Sequence, residues 1–251
     1  MYLKWEEKTI DDFSEKNIES TYNNGYVFTR VGKGVMNQTR SLRIDLGKFE
    51  LSSENKRVLK KAEDLELAVH PIPYQNYDWN IHKMGKDFYA KKFGDKTFSA
   101  RKIKELITDE KKSNFNRLFV YTIPTVIPNP PAGGEESLSK KQTDRDPSSA
   151  KASLGMTKYV DYCICLETKN ILHYCYPFYN LNVKIPNLGM GMMLKAVVWA
   201  EKNNKKYIYL GSAQRQTDTY KLQFAGLEWF DGKEWKKNLN ELKKILAKNM
   251  G

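Results

Sequence analysis

The spacing of apolar side chains changes character several times along the chain, and each change marks an element. From Tyr159 to Glu167 it alternates, with Val160, Tyr162, Ile164 and Leu166 on one face and Asp161, Cys163 and Cys165 on the other, which predicts a strand. Thr168-Lys169-Asn170 supplies a turn into a second strand, Ile171 to Tyr179, and the two should pair as a hairpin. From Gly189 to Asn203 the period becomes helical. Met190, Met193, Leu194 and Val197 recur there in a segment apolar on most faces, so a buried helix is predicted rather than an amphipathic one. Tyr207 to Leu210 returns as a strand ended by Gly211, and Phe224 to Trp235 reads as a hairpin around Asp231-Gly232. A last helix starts near Asn238, with Glu241 as its capping partner, and buries Leu239, Leu242, Ile245 and Leu246. The order is β-β-α-β with a helical end.

Upstream, Tyr26 to Val31 and Leu42 to Leu46 are short strands, and Ser53 to Leu67 is a helix whose stripe is Val58, Leu59, Ala62 and Leu65. Lys56, Arg57, Lys60 and Lys61 then project away from the core as a basic ridge. A helix from Ser99 to about Lys112 repeats the device with Arg101, Lys102 and Lys104, before a strand from Leu118 to Ile123. Between the halves, Asn129 to Gly155 has Pro, Gly, Ser and charge throughout and no aromatic residue, with Leu138 and Leu154 as its large apolar side chains. Such composition buries too little surface to offset its ordering entropy, so a flexible insertion is expected. The expected organisation is an N-terminal lobe at 1–128, the insertion at 129–155 and a C-terminal lobe at 156–251.

Charge changes the picture toward a polyanionic partner. The net charge of +12 arises from 42 Lys and Arg against 30 Asp and Glu. No stretch approaches the ~20 apolar residues of a membrane helix, and the mixed-charge N-terminus has no signal-peptide core. A cytoplasmic protein with no membrane partner is expected. Three cysteines, Cys163, Cys165 and Cys175, are too few for a disulfide framework and read as small buried hydrophobes. His70, His82 and His173 sit in no metal or triad spacing, so structural roles, no metal and no cofactor are expected.

The run YPFYNLN, then IPNLGMGMMLKAVVWAEKNNKKYIYLG, then TYKLQFAGLE, between Tyr176 and Glu228, resembles the C-terminal half of the arginyl-tRNA–protein transferases. Ser41-Leu42-Arg43-Ile44-Asp45, with Phe49-Glu50-Leu51-Ser52-Ser53 and Lys56-Arg57-Val58-Leu59-Lys60-Lys61, is similar to a second block of the same family. The resemblance implies an α+β, GNAT-like acyltransferase fold: a mixed, mostly antiparallel sheet flanked by helices. It further implies aminoacyl transfer from aminoacyl-tRNA to an acceptor amine on a peptide or a small molecule. Tyr220, Lys221, Asp161 and Tyr179 become candidate catalytic residues on this basis. Gly189, Gly191, Tyr176, Tyr209 and Gln214 are candidates for substrate binding, and Arg43, Lys56, Arg57, Lys60 and Lys61 for nucleic acid. Glycines at a helix start leave backbone N–H groups free for an anion or oxyanion, and they equally permit close packing. The chain departs from the family in lacking an N-terminal cysteine cluster, and its Gly25-Tyr26-Val27-Phe28-Thr29 keeps only Arg30 nearby as a cation. Two alternatives stand beside this one: a CoA-dependent N-acyltransferase, disfavoured by Pro186 ahead of the glycines, and a non-catalytic RNA-binding relative.

Overall fold

The computed structural model describes residues 3–124, 158–182 and 185–248, so the expected insertion at 129–155 lies outside the described residues. Among the described residues, eleven strands form two sheets. A small antiparallel sheet, order β1-β3-β2, uses β1 (Glu6–Thr9), β2 (Tyr26–Phe28) and β3 (Val35–Gln38). The main sheet takes β4 (Ser41–Asp45), β5 (Glu66–Pro71), β6 (Arg117–Pro124), β7 (Lys158–Glu167), β8 (Ile171–Phe178), β9 (Tyr207–Ser212), β10 (Leu227–Phe230) and β11 (Trp235–Lys236). Its order is β11-β10-β4-β9-β8-β7-β6-β5. Every pairing is antiparallel except β8 with β9. The result is an α+β, antiparallel-rich sheet with helices on both faces. Residues 3–124 and 158–248 both feed it, and β4 lies between β9 and β10.

Alternation along the strands sends side chains into two cores. Cys163 and Cys165 of β7 and Phe119 and Tyr121 of β6 meet α2 (Ser53–Lys61), α5 (Leu188–Lys202) and α6 (Leu239–Lys248) on one face. Tyr162, Ile164 and Leu166 meet α1 (Glu15–Asn23), α3 (Trp79–Phe93) and α4 (Ala100–Thr108) on the other. The β7–β8 hairpin, α5 and α6 occupy the expected positions. The helix expected to run from Ser53 to Leu67 stops at Lys61, where Ala62 caps it, and Glu66–Pro71 is instead the edge strand β5, paired with β6 through six residues of each. The helix expected to reach Lys112 ends at Thr108.

Two irregularities interrupt the main sheet. β8 and β9 pair only through Ile171↔Tyr207, Leu172↔Ile208 and His173↔Tyr209. Beyond that β8 stays with β7 to Phe178 while β9 stays with β4 to Ser212, so the parallel pair parts. The β7–β8 register shifts between Ile164 (opposite Tyr176) and Cys165 (opposite Tyr174), which leaves Cys175 as a bulge at the point of parting.

Candidate functional site

The chain leaves β8 and enters α5 through Asn187, whose φ of 62° is left-handed, a conformation Asn tolerates. In the first turn, Leu188 N–H donates to Ile185 O (3.3 Å), and the Met190 and Gly191 amides both donate to Asn187 O (2.9 Å each). The Gly189 N–H has no acceptor among the described residues, so one free amide, not a row of them, marks this helix start. The two glycines answer to different neighbours. A Cβ on Gly189 would lie 3.1 Å from the ring and hydroxyl of Tyr179, whereas one on Gly191 would lie 2.8 Å from Ala62 Cβ at the end of α2. Gly191 is therefore a packing residue, and Gly189 carries the free amide beside a phenol.

Of the four candidate catalytic residues, Tyr179 lies against Gly189, and Asp161 and Tyr220 are near enough to Tyr179 to interact with it electrostatically. Asp161, one residue beyond the Tyr162–Phe178 pair of the β7–β8 ladder, is fully buried. Its Oδ1 accepts the Asn180 N–H (2.9 Å), and its Oδ2 has no partner. Burial pushes the Asp161 carboxyl up to about 6, the Asn180 bond opposing. Burial raises the Tyr179 phenol too, with Asp161 adding to the effect. Tyr220 and Lys221 arrive on a 3-10 segment, Gln216–Gln223, seated on α5 by a Gln223 Nε2–H to Met190 Sδ contact of 3.5 Å. Tyr220 is 47% exposed, and its phenol is raised to about 12 by the surrounding protein and by Asp218 and Tyr179. Lys221 Nζ donates to Ser212 O (3.1 Å) and lies 3.6 Å from Asp218 Oδ1. Burial pulls its pKa down against the pull of Asp218.

Beneath Lys221, His173 is 1% exposed, and burial followed by the charge of Lys221 lowers its pKa to about 3, so the ring is neutral. Tyr22 Oη accepts the Phe28 N–H (3.2 Å) and shares a hydrogen bond of 2.9 Å with His173 Nδ1. The other ring nitrogen, Nε2, is buried without a partner. A structural role was the expectation for His173, and no spacing in the sequence distinguishes it. Its place on the last paired residue of β8 before the parting does.

The remaining candidates divide. Tyr176 is half-buried beside the bulge, packed edge-on against Phe98 and Phe115 with ring centroids at 5.2 and 5.4 Å. Tyr209 is 1% exposed and lies in the core against Tyr22, so it is no part of the opening. Gln214 is a clamp for the N-terminal segment: its Oε1 accepts Leu3 N–H (2.9 Å) and its Nε2 donates to Thr39 Oγ1 (2.7 Å). Arg43 is withdrawn from any nucleic-acid surface. It is 5% exposed, donates to Glu228 and Asn23, and is sandwiched between the rings of Tyr207 (4.1 Å) and Trp235 (3.8 Å). Lys56, Arg57, Lys60 and Lys61 are all exposed on α2, with Arg57 paired to Glu54 at 2.6 Å. Through Ala62 this basic helix ends against the first turn of α5. Among the described residues no three His, Cys, Asp or Glu side chains gather as metal ligands, and no helix is long and apolar enough to cross a membrane.

No family model matches the chain. Over 100 residues it is 27% identical to the aspartate/glutamate leucyltransferase of Saccharophagus degradans, a match spanning 35% of this chain and 42% of that protein. The chain thus aligns with less than half of that relative. The structure of L-PGS from Bacillus licheniformis superposes on 94% of this chain and 70% of its own at a TM-score of 0.43 and 10% identity. A C-terminal DUF2156 domain from Agrobacterium fabrum covers 80% of this chain and 52% of its own at 0.39 and 12%. Scores at this level do not establish a shared fold.

Proposed function

We propose that the chain is an aminoacyltransferase of GNAT-like architecture that moves an amino acid from aminoacyl-tRNA, in the cytoplasm, to the amine of a peptide or small molecule. The observation that carries this is the parting of β8 and β9 together with the free Gly189 amide beside the Tyr179 phenol, with Asp161 and Tyr220 interacting with that phenol. The stretch of identity with a leucyltransferase and the exposed cations of α2 beside the same helix turn support it.

In the proposed reaction the acceptor amine attacks the ester carbonyl, a C–N bond forms, and the ester C–O bond breaks to return a ribose hydroxyl. The ester is already activated, so positioning and oxyanion stabilisation suffice without a covalent enzyme intermediate. The Gly189 N–H and Tyr220 hydroxyl donate to the developing oxyanion, and the Lys221 ammonium adds its field from beneath. Asp161, whose Oδ2 is unpartnered, or the Tyr179 phenol takes the amine proton, and the leaving ribose oxygen receives a proton in return. Gln214, Tyr209 and Arg43 hold the frame and take no part.

The test is transfer of labelled amino acids from a full set of charged tRNAs to peptides differing at the N-terminal residue. Label should appear in peptide with one charged tRNA, and Lys221→Met and Tyr220→Phe should each slow transfer by about 10²-fold. Turnover of acetyl-CoA with no dependence on tRNA would replace the proposal with the CoA-dependent alternative.

A further inference from the structure

A second cationic feature lies away from both the α2 ridge and the α5 helix start. The residues after β2 and those leading into α4 line an open surface cavity of about 310 Å³, formed by Arg30, Val31, Lys96, Thr97, Phe98 and Lys102, with Ser99. Among the described residues Arg30 and Lys96 make no ion pair, while Lys102 pairs with Glu105 at 2.5 Å. The lining therefore carries an uncompensated positive charge in a space that holds a phosphate with room for part of its ester. Ser99 caps α4 by accepting the Lys102 N–H (3.2 Å), so the positive end of that helix lies beside the cavity, and the Ala100 and Arg101 amides have no acceptor among the described residues.

Arg30 ties this cavity to the site. Its guanidinium donates to Thr97 O (2.7 Å), stacks over Phe98 at 4.7 Å, and lies 5.8 Å from the ring of Tyr176 at the β8 bulge. One wall is thus shared with the residue that flanks the parted strands. Exposed aromatic and basic groups continue the path: Phe93 is 46% exposed with Arg215 over its ring at 5.1 Å, and Tyr220 is 47% exposed. Phosphate-binding cations beside exposed rings are what a single strand of nucleic acid needs.

We propose that the Arg30–Lys96–Lys102 cavity is a phosphate-binding subsite that receives a backbone phosphate of the single-stranded 3′ end of the tRNA. It anchors that end while the aminoacyl ester lies between β8 and β9. This rests on the aminoacyl-tRNA reading and deepens it, because it names the part of the donor held here. The shared chemistry is a phosphate group, and three carriers of it separate in the test.

Wild type, Lys96→Asn and Lys102→Gln are titrated with 5′-fluorescein-labelled ACCA RNA, with inorganic phosphate and with coenzyme A. Asn keeps the left-handed backbone of residue 96 (φ 65°) while removing the charge. Lys243→Gln, an exposed α6 lysine, serves as the control. Each cavity variant should weaken RNA binding about three- to tenfold and lower the salt dependence of log K by about one, with the control unchanged. Equal losses in the control, or none in either cavity variant, would overturn the subsite. If wild type ignores RNA yet binds phosphate or coenzyme A in a Lys96-dependent manner, the aminoacyl-tRNA reading fails and the subsite stands with another phosphate carrier.

Discussion

Gly189 and Gly191 are two residues apart, and the same methyl group has opposite consequences at each. At Gly191 a Cβ would press on Ala62 Cβ at 2.8 Å, between two helices that cannot easily separate. Gly191→Ala should therefore cost about 1–3 kcal/mol, read as a lower denaturation midpoint with an unchanged m-value. At Gly189 the neighbour is the Tyr179 ring at 3.1 Å, which can turn aside. Gly189→Ala should leave the midpoint nearly unmoved and lower transfer instead. Asp161 makes a prediction of a different kind. Its folded pKa near 6 lies above the ~3.9 of an unfolded Asp, so its favourable contribution is complete below pH 4 and is lost as pH rises through 6. Asp161→Asn removes that loss. The variant should gain on wild type by on the order of 2 kcal/mol between pH 4 and pH 7.5 in parallel urea melts, while transfer falls. A gap that stays constant with pH would show the carboxyl to be unperturbed by folding.

At the scale of elements, α2 is where charge and packing separate most cleanly, because Val58 and Ala62 are buried while Lys56, Lys60 and Lys61 stand exposed. Replacing Lys56 and Lys60 by Ala should leave stability within about 0.5 kcal/mol, since neither side chain is packed or paired. The slope of log K against log salt for tRNA should shrink by about one unit per lost phosphate contact. A slope indifferent to both changes would remove α2 from the proposed tRNA-binding surface. The elements that were legible in the sequence are those whose period is sustained: the β7–β8 hairpin, α5 and α6. β5 was not, because its period-two run of Leu65, Leu67 and Val69 shares Leu65 with the helical stripe of α2 and follows it with no glycine or proline between. α3 was not, because Gly85 interrupts it, and the reason for that glycine is Ile103 of another helix, whose Cδ1 a Cβ would meet at 2.8 Å. The site divides in the same way. Asp161, Tyr179 and Gly189 converge through the hairpin and the helix after it, which local pattern foretells. Arg43 was misread because its charge is visible in sequence and its position in the middle of a sheet is not.

For the molecule as a whole, the Arg43–Glu228 pair joins β4 to β10. Arg43 Nε and Nη2 both lie 2.9 Å from Glu228 Oε2, and both side chains are under a tenth exposed. Removing one partner leaves the other charge buried, so Glu228→Gln or Arg43→Met should cost about 3–5 kcal/mol in denaturant. Because β4 is paired on both edges by strands from the far end of the chain, unfolding of wild type should be one transition by fluorescence and by far-ultraviolet circular dichroism alike. Two separated transitions would mean that the two segments hold together independently. The same placement has a consequence in time. Arg43 and Glu228 are 185 residues apart in the chain. At a synthesis rate of about 5–20 residues per second, the strand at the middle of the finished sheet waits roughly 10–40 s for its neighbour. During that wait Ser41–Asp45, which ends with Leu42 and Ile44 wholly buried, has both edges open to any other nascent chain. The stretch of this protein that most needs a chaperone is therefore one of its first strands, and its need ends only when one of the last has been made.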